Sequence, residues 1–248
     1  MTEKKSSSWQ DPAVAQKFLD ERRGAIPFGR DQVEVMLRLV RHFRPAPRHI
    51  LDLGCGDGFL TRALLAEYPR ASAVLIDHSE PMVERARQAM AADANRCEIL
   101  HGDLLVPLRQ LAGRTPADLV VSGLAIHHLP HARKRSLYAE IFEFLAAGGL
   151  FVNIEHVASV SGDVEALYDD AYIDYISSRT GKDRGLVDAE YRSRPDKSDN
   201  VLERVEVQVE WLREIGFLHA DCYFKWFELA VFGGVKSQRV EAEDSFRR

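Results

Sequence analysis

From residue 49 to residue 155 the chain switches repeatedly between two periodicities, and nothing else in it constrains the fold as much. Short β-like runs stand at HILDL, SAVLID, CEIL, ADLVVSG and LFVNIE. Helical stretches lie between them: FLTRALLAEY, EPMVERARQAMAA, a short one near LLVPLRQLA, and HARKRSLYAEIFEFLA. Strands joined through helices of this length predict a parallel sheet with helices on both faces. The alternation stops after Glu155. A tyrosine-rich stretch follows (Tyr168, Tyr172, Tyr175), then the polar runs SSRTGKDRG and RSRPDKSDN. A helix, LERVEVQVEWLREI, and two more β-like runs, HADCYFKWF and ELAVFGG, complete the pattern. Ahead of the sheet, WQDPAVAQKFLDERR predicts a helix with Asp11 as cap and Pro12 at its first position. DQVEVMLRLVRHF predicts a second, with an apolar stripe at Val33, Met36, Leu37 and Val40. At 248 residues the expectation is a single domain. Within it, 1–45 form a helical cap, 46–156 a cofactor-binding core, 157–200 a lid insertion, and 201–236 a C-terminal helix and strand pair.

Composition narrows the function classes. Apolar residues make up 46% of the chain, enough for a full core. No apolar run approaches the roughly 18 residues of a membrane span, and MTEKKSSSWQDP lacks the apolar region of a secretory signal. The three cysteines, Cys55, Cys97 and Cys222, are widely spaced and include no CxxC pair. That disfavours a disulfide framework or cysteine zinc site and fits a reducing cytoplasm. A net charge of −5 argues against broad nucleic-acid binding, which depends on neutralising phosphates. A small-molecule partner is therefore expected, and the chain is taken as monomer or homodimer.

The chemistry concentrates at LDLGCGDGFL, residues 51–60. Gly54, Gly56 and Gly58 follow the first strand and open the first long helix, where ligands bind in doubly wound sheets. The spacing is G-x-G-x-G. A dinucleotide loop wants a third glycine where Phe59 stands, and a phosphate loop wants Gly-Lys-Ser/Thr, which is absent. Asp77 ends the second β-like run, where a carboxylate can accept two charge-assisted hydrogen bonds from a ribose. Asp103, in HGDLL, stands just beyond the third, within reach of an adenine amino group.

On these residues the chain resembles the class I S-adenosylmethionine-dependent methyltransferases. ILDLGCGDG is similar to that family's first motif, VLIDHSEPMVERAR to its second-strand acidic motif, and HGDLL to its adenine-side motif. ADLVVSGLAIHHLP and FLAAGGLFVNIE resemble its fourth- and fifth-strand segments. The resemblance implies a Rossmann-like, doubly wound α/β fold. Its seven-stranded sheet would be mostly parallel, with an antiparallel C-terminal strand. It also implies S-adenosylmethionine as cofactor and S-adenosylhomocysteine as product. Gly54, Gly56 and Gly58 would then approach the methionine moiety, Asp77 the ribose, and Asp103 with Leu104 the adenine, against which Met82 packs. Asp52, Cys55, His78, Gly102, Ser122 and Gly123 complete the implied cofactor set.

Methyl transfer needs an aligned nucleophile and, where it carries a proton, a base. His127 and His128 follow the fourth strand and can titrate near neutral pH; either is a candidate base, or one caps a helix while the other packs in the wall. The four-residue spacing of His127 and His131 suggests a metal pair, which Pro130 disfavours, so no metal is expected. For the substrate pocket the candidates are Phe28 and Arg30 in the loop between the cap helices, Glu155 at the end of the fifth strand, Tyr168 and Tyr172 at i, i+4, and Arg192 and Arg194. The chain ends, FLDERRGAIPFGRDQVEVMLRLV and VEWLREIGFLHADCYFKWFELAVFGGVK, resemble the carboxy-S-adenosylmethionine synthase group. That group transfers a carboxyl unit from prephenate to the sulfonium methyl, making a cofactor for modification of the tRNA wobble uridine. Three readings stand: a small-molecule methyltransferase, a synthase of a modified cofactor, which requires an arginine aimed at the methyl position, and a non-catalytic S-adenosylmethionine-binding module.

Overall fold

The computed structural model describes residues 8–17 and 26–238. The expected N-terminal helix begins as drawn: α1 runs Pro12–Lys17, with the Asp11 carboxylate accepting from the Ala13 amide at 2.8 Å. The rest of that expected helix lies outside the described residues. α2 spans Gly29–Phe43 and buries Met36, Leu39 and Val40.

The sheet holds seven strands: β1 His49–Leu53, β2 Ser72–Asp77, β3 Cys97–His101, β4 Ala117–Gly123, β5 Leu145–His156, β6 Leu218–Trp226 and β7 Leu229–Val235. Their spatial order is β3-β2-β1-β4-β5-β7-β6. The first five pair in parallel, and β7 runs antiparallel to both β5 and β6. This is the expected Rossmann-like, doubly wound sheet, mostly parallel with one reversed strand in its C-terminal pair.

Successive strand residues point to opposite faces, so each face gets its own core. Ile50, Leu75, Leu119 and Val152 meet α2, α3 (Phe59–Glu67) and α4 (Glu80–Ala89). Leu51, Leu53, Val120 and Phe151 meet α5 (Leu108–Leu111), α6 (His131–Phe144) and α9 (Val205–Ile215). Between β5 and α9 the chain builds α7 (Gly162–Thr180) and α8 (Arg184–Arg192). Ser161 and Asp183 cap their N-termini, accepting from the Val164 and Leu186 amides. These helices share a small core of Tyr168, Tyr172, Ile173, Val187 and Tyr191 that also holds Leu229 of β7.

Strand order reverses between β1 and β4, opening a crevice at their carboxyl ends. The Gly54–Gly58 loop and the segment after Gly123 face each other across it.

Candidate functional site

One cavity of about 1200 Å³ opens over this switch point. The glycine loop supplies one wall. Gly54, Gly56 and Gly58 all have positive φ (67°, 54° and 77°), a region costly for side chains. The three play different parts. A Cβ on Gly54 would lie 2.1 Å from the Ala125 Cβ, so β1 and the post-β4 segment approach too closely for any side chain. A Cβ on Gly58 would meet Leu75 and Met90 in the core. A Cβ on Gly56 would meet nothing within 4 Å, because its α-carbon borders the open cavity.

Asp77 braces this loop. Its Oδ2 accepts from the Gly56 amide and its Oδ1 from the Ser79 amide, each at 2.8 Å. Burial pushes its pKa up and those two bonds pull it back. Asp52 is fully buried and lines the cavity; Thr61 Oγ1 donates to its Oδ2 at 2.7 Å while Oδ1 has no partner. Burial pushes Asp52 up to about 7. An orphaned carboxylate oxygen on a residue that lines the cavity fits a ligand that carries an ammonium, and Gly56 leaves room for it.

Past β4, the two histidines separate cleanly. Trp9 Nε1 donates to His128 Nε2 at 3.1 Å, and His128 Nδ1 donates to the Asp199 carbonyl at 3.2 Å. With both nitrogens engaged, and burial driving its pKa to about 3, His128 is a neutral wall residue. His127 Nδ1 lies 2.5 Å from Glu155 Oε1, and its Nε2 makes no hydrogen bond to a described residue. The Val201 amide donates to the His127 carbonyl at 2.9 Å. Buried Lys134 donates to the carbonyls of Leu129 and Val201, fastening the turn to the end of the insertion.

Burial disfavours charge on both members of the His127–Glu155 pair, pushing Glu155 up to about 7 and His127 well below its usual value. The charged and titratable neighbours facing them are His128, Lys134, His156, Arg194 and Asp196. Below about pH 7 the Glu155 hydroxyl donates to Nδ1, and the imidazole proton sits on Nε2. Above it, Nδ1–H donates to the carboxylate, leaving the Nε2 lone pair free. Activity that depends on this lone pair is expected to rise with pH through about 7. A Glu155→Gln variant is expected to lose that inflection in a kcat/KM profile; a profile unchanged by the substitution would contradict the pairing. For stability the sign is opposite. A carboxylate whose folded-state pKa is raised stabilises most at low pH and loses that contribution as pH climbs through about 7.

Most of the residues singled out from the sequence converge on this cavity: Asp52, Gly54, Cys55, Gly56, Asp77, His78, Met82, Asp103, Leu104, Gly123, His127, His128, Phe28, Arg30, Tyr168, Tyr172 and Arg194 all line it. Others stand apart for identifiable reasons. Ser122 Oγ donates to the Leu53 carbonyl at 2.7 Å, tying β4 to β1. Gly102 packs against Leu111 and Ile76. Gly58 serves the core, and Glu155 lies behind His127. Arg192 Nε donates to Asp188 Oδ1 at 2.7 Å on the exposed face of α8. Arg194 lines the cavity with its guanidinium 4.3 Å from the Tyr191 ring centre and its buried Nε unpartnered. No group of three or more His, Cys, Asp or Glu suited to a metal occurs among the described residues.

Sequence reasoning missed the strap. Ser8 donates through its amide and hydroxyl to Asp199 Oδ2, at 2.9 and 2.6 Å. Ser79 Oγ donates to the Trp9 carbonyl, and Gln10 Nε2 to the His78 carbonyl, each at 2.5 Å. Residues 8–10 thus bridge the loop after β2, the turn after β4 and the end of the insertion. A lone Trp ahead of an Asp-Pro cap carries no periodic signal that could have disclosed this.

Residues 50–149 match the methyltransferase domain family. A carboxy-S-adenosyl-L-methionine synthase of Desulforapulum autotrophicum is 28% identical over 232 residues, 92% of this chain and 90% of that protein. A trans-aconitate 2-methyltransferase of Acidovorax ebreus is 33% identical over 140 residues, 56% of this chain and 47% of its own. Among solved structures, an O-methyltransferase family protein from Burkholderia thailandensis superposes with a TM-score of 0.60 at 16% identity, over 90% of this chain and 62% of that one. Human N-acetylserotonin methyltransferase gives 0.59 at 15%, over 92% of this chain and 57% of that one. The chain therefore spans about three fifths of those two folds. Residues 50–149 thus carry a methyltransferase domain, and the chain is similar to S-adenosylmethionine-dependent methyltransferase enzymes in sequence and in fold. Its similarity to the carboxy-S-adenosylmethionine synthase extends over nearly the whole of both chains.

Proposed function

We propose that this enzyme binds S-adenosylmethionine between the glycine loop, Asp52, Asp77 and Asp103, and methylates a small acceptor that carries a carboxylate. Arg194 carries the second half of this reading: it lines the cavity that also holds His127, and its buried Nε has no partner. A buried guanidinium nitrogen without an acceptor is costly, and a carboxylate satisfies it with strong, directional bonds. The similarity to a protein named for methylating trans-aconitate, an acid, supports the same substrate class.

The cofactor, when bound, supplies an electrophilic methyl group. The chain's own residues do the rest. Asp52 Oδ1 offers an acceptor for an ammonium, and Asp77 holds the loop in shape. Arg194 fixes the acceptor's carboxylate, and His127 Nε2 takes the proton from its nucleophilic atom. Trp9 of the strap and Leu129 of the turn add apolar wall to the cavity.

A second reading has specific support. The synthase relative matches nearly its whole length here, and its chemistry also needs an arginine facing the methyl position. The two share a carboxylate at Arg194 and differ in the group transferred. Turnover of a panel of small carboxylic acids, trans-aconitate included, with radiolabelled S-adenosylmethionine tests the reading. Arg194→Met should raise KM for the acid by about 10- to 150-fold, corresponding to the ~1.5–3 kcal/mol of a charged hydrogen bond. Affinity for S-adenosylhomocysteine should be unchanged. Equal turnover of acids and their uncharged amides would overturn it.

A further inference from the structure

A second imidazole looks into the cavity beside His127. His156 closes β5 one residue after Glu155, and its ring centre lies 5.7 Å from that of His127 and 5.8 Å from that of Tyr168. Its Nε2 lies 2.8 Å from Glu228 Oε2, and Ser159 Oγ donates to the other oxygen of the same carboxylate at 2.5 Å. Glu228 is 3% exposed, and its carbonyl accepts from the Val157 amide at 2.7 Å. Glu228 thus holds the imidazole while Ser159 and the Val157 amide hold Glu228. In the neutral ring the carboxylate at Nε2 selects the Nε2–H tautomer, which leaves the lone pair on Nδ1. No described residue donates to it, and His156 lines the cavity.

Above about pH 7 the arrangement at His127 is the same with the nitrogens exchanged: Glu155 takes Nδ1–H and leaves Nε2 as acceptor. One cavity thus contains two neighbouring imidazoles, each oriented by its own buried glutamate and each offering a lone pair. A substrate with a single hydroxyl satisfies one of them. The walls of the cavity include the aromatic rings of Tyr168, Tyr172, Tyr175 and Phe28, and Arg194 lines it too. Flat rings stack against such walls without losing rotational freedom of their own.

We propose that His156 is a specificity-determining residue that accepts a hydrogen bond from a second hydroxyl adjacent to the one methylated. The acceptor class is then a planar ring bearing two neighbouring hydroxyl groups and a carboxylate. This rests on the methyltransferase reading above. His156 reads the second hydroxyl, while His127 takes the proton from the first.

The test titrates the full chain, saturated with S-adenosylhomocysteine, with 3,4-dihydroxybenzoate, 3-hydroxybenzoate and 4-hydroxybenzoate by calorimetry. The expected result is at least tenfold tighter binding of the dihydroxy acid than of either monohydroxy acid. His156→Phe should erase that preference, and His156→Asn, whose amide oxygen takes the place of Nδ1, should restore part of it. Because the readout is a ratio between probes, a general loss of stability in the variants does not imitate it. Equal affinity for the three acids, no binding of any, or a preference that survives His156→Phe would overturn the proposal. Failure to bind S-adenosylhomocysteine would instead sink the reading beneath it, and the same three titrations on the chain alone would still decide the subsite.

Discussion

His127→Ala is expected to lower kcat by about 10²- to 10⁴-fold, the usual worth of a positioned general base, with the affinity for S-adenosylhomocysteine unchanged. The expectation comes from hydrogen bonding. His128 has both ring nitrogens engaged, by Trp9 and the Asp199 carbonyl, so it has no lone pair to offer. His127 has one nitrogen held by Glu155 and the other free toward the cavity. His128→Asn should consequently cost far less kcat than His127→Ala. Single-turnover rates of the two variants on an acid turned over by the wild type would check this. The reverse ranking would mean that the roles of the two histidines are exchanged.

Gly54→Ala is expected to be the most damaging small substitution in the cofactor loop. Its Cβ would sit 2.1 Å from that of Ala125, and its φ of 67° is unfavourable for any side chain. Left-handed strain costs ~1–2 kcal/mol and overpacking ~1–3 kcal/mol, together about 3 kcal/mol. At ~2–4 °C per kcal/mol for a domain of this size, Tm should fall by roughly 6–12 °C. Gly56→Ala separates folding from binding. Its Cβ meets no protein atom within 4 Å, so Tm should fall by only about half as much, while affinity for S-adenosylhomocysteine should drop at least tenfold. Thermal melts with and without S-adenosylhomocysteine distinguish the two. Equal loss of Tm in both variants would remove the cavity-facing role from Gly56.

These contrasts show what the sequence could and could not disclose. The sheet was legible because each strand is a short apolar run flanked by a helix with its own period, and such patterns follow from burial on both faces. The glycine loop was legible because three positive-φ positions leave glycine little competition. Asp77 was recognised at the end of β2, but its bonds to Gly56 and Ser79 depend on the loop's return path and could not be read from spacing. Arg192 and Arg194 look alike in YRSRPDK; one faces solvent beside Asp188 and the other the cavity, because α8 ends between them. Glu155 looked like a pocket residue and is instead the buried partner of His127. The pairing joins the turn after β4 to the end of β5, residues 28 positions apart, and no local pattern marks it. The strap at Ser8–Gln10 was illegible for the same reason: its bonds to His78, Ser79, His128 and Asp199 join residues distant in sequence.

The central claim is that this cavity holds S-adenosylmethionine for transfer of its methyl group to a carboxylate-bearing acceptor. Mass spectrometry of the nucleoside that copurifies with the protein tests it most directly. The account predicts S-adenosylmethionine or S-adenosylhomocysteine, displaced stoichiometrically when the protein is denatured. The carboxylated cofactor would contradict methyl transfer and favour the synthase chemistry, and a nicotinamide dinucleotide would contradict the reading of the glycine loop itself.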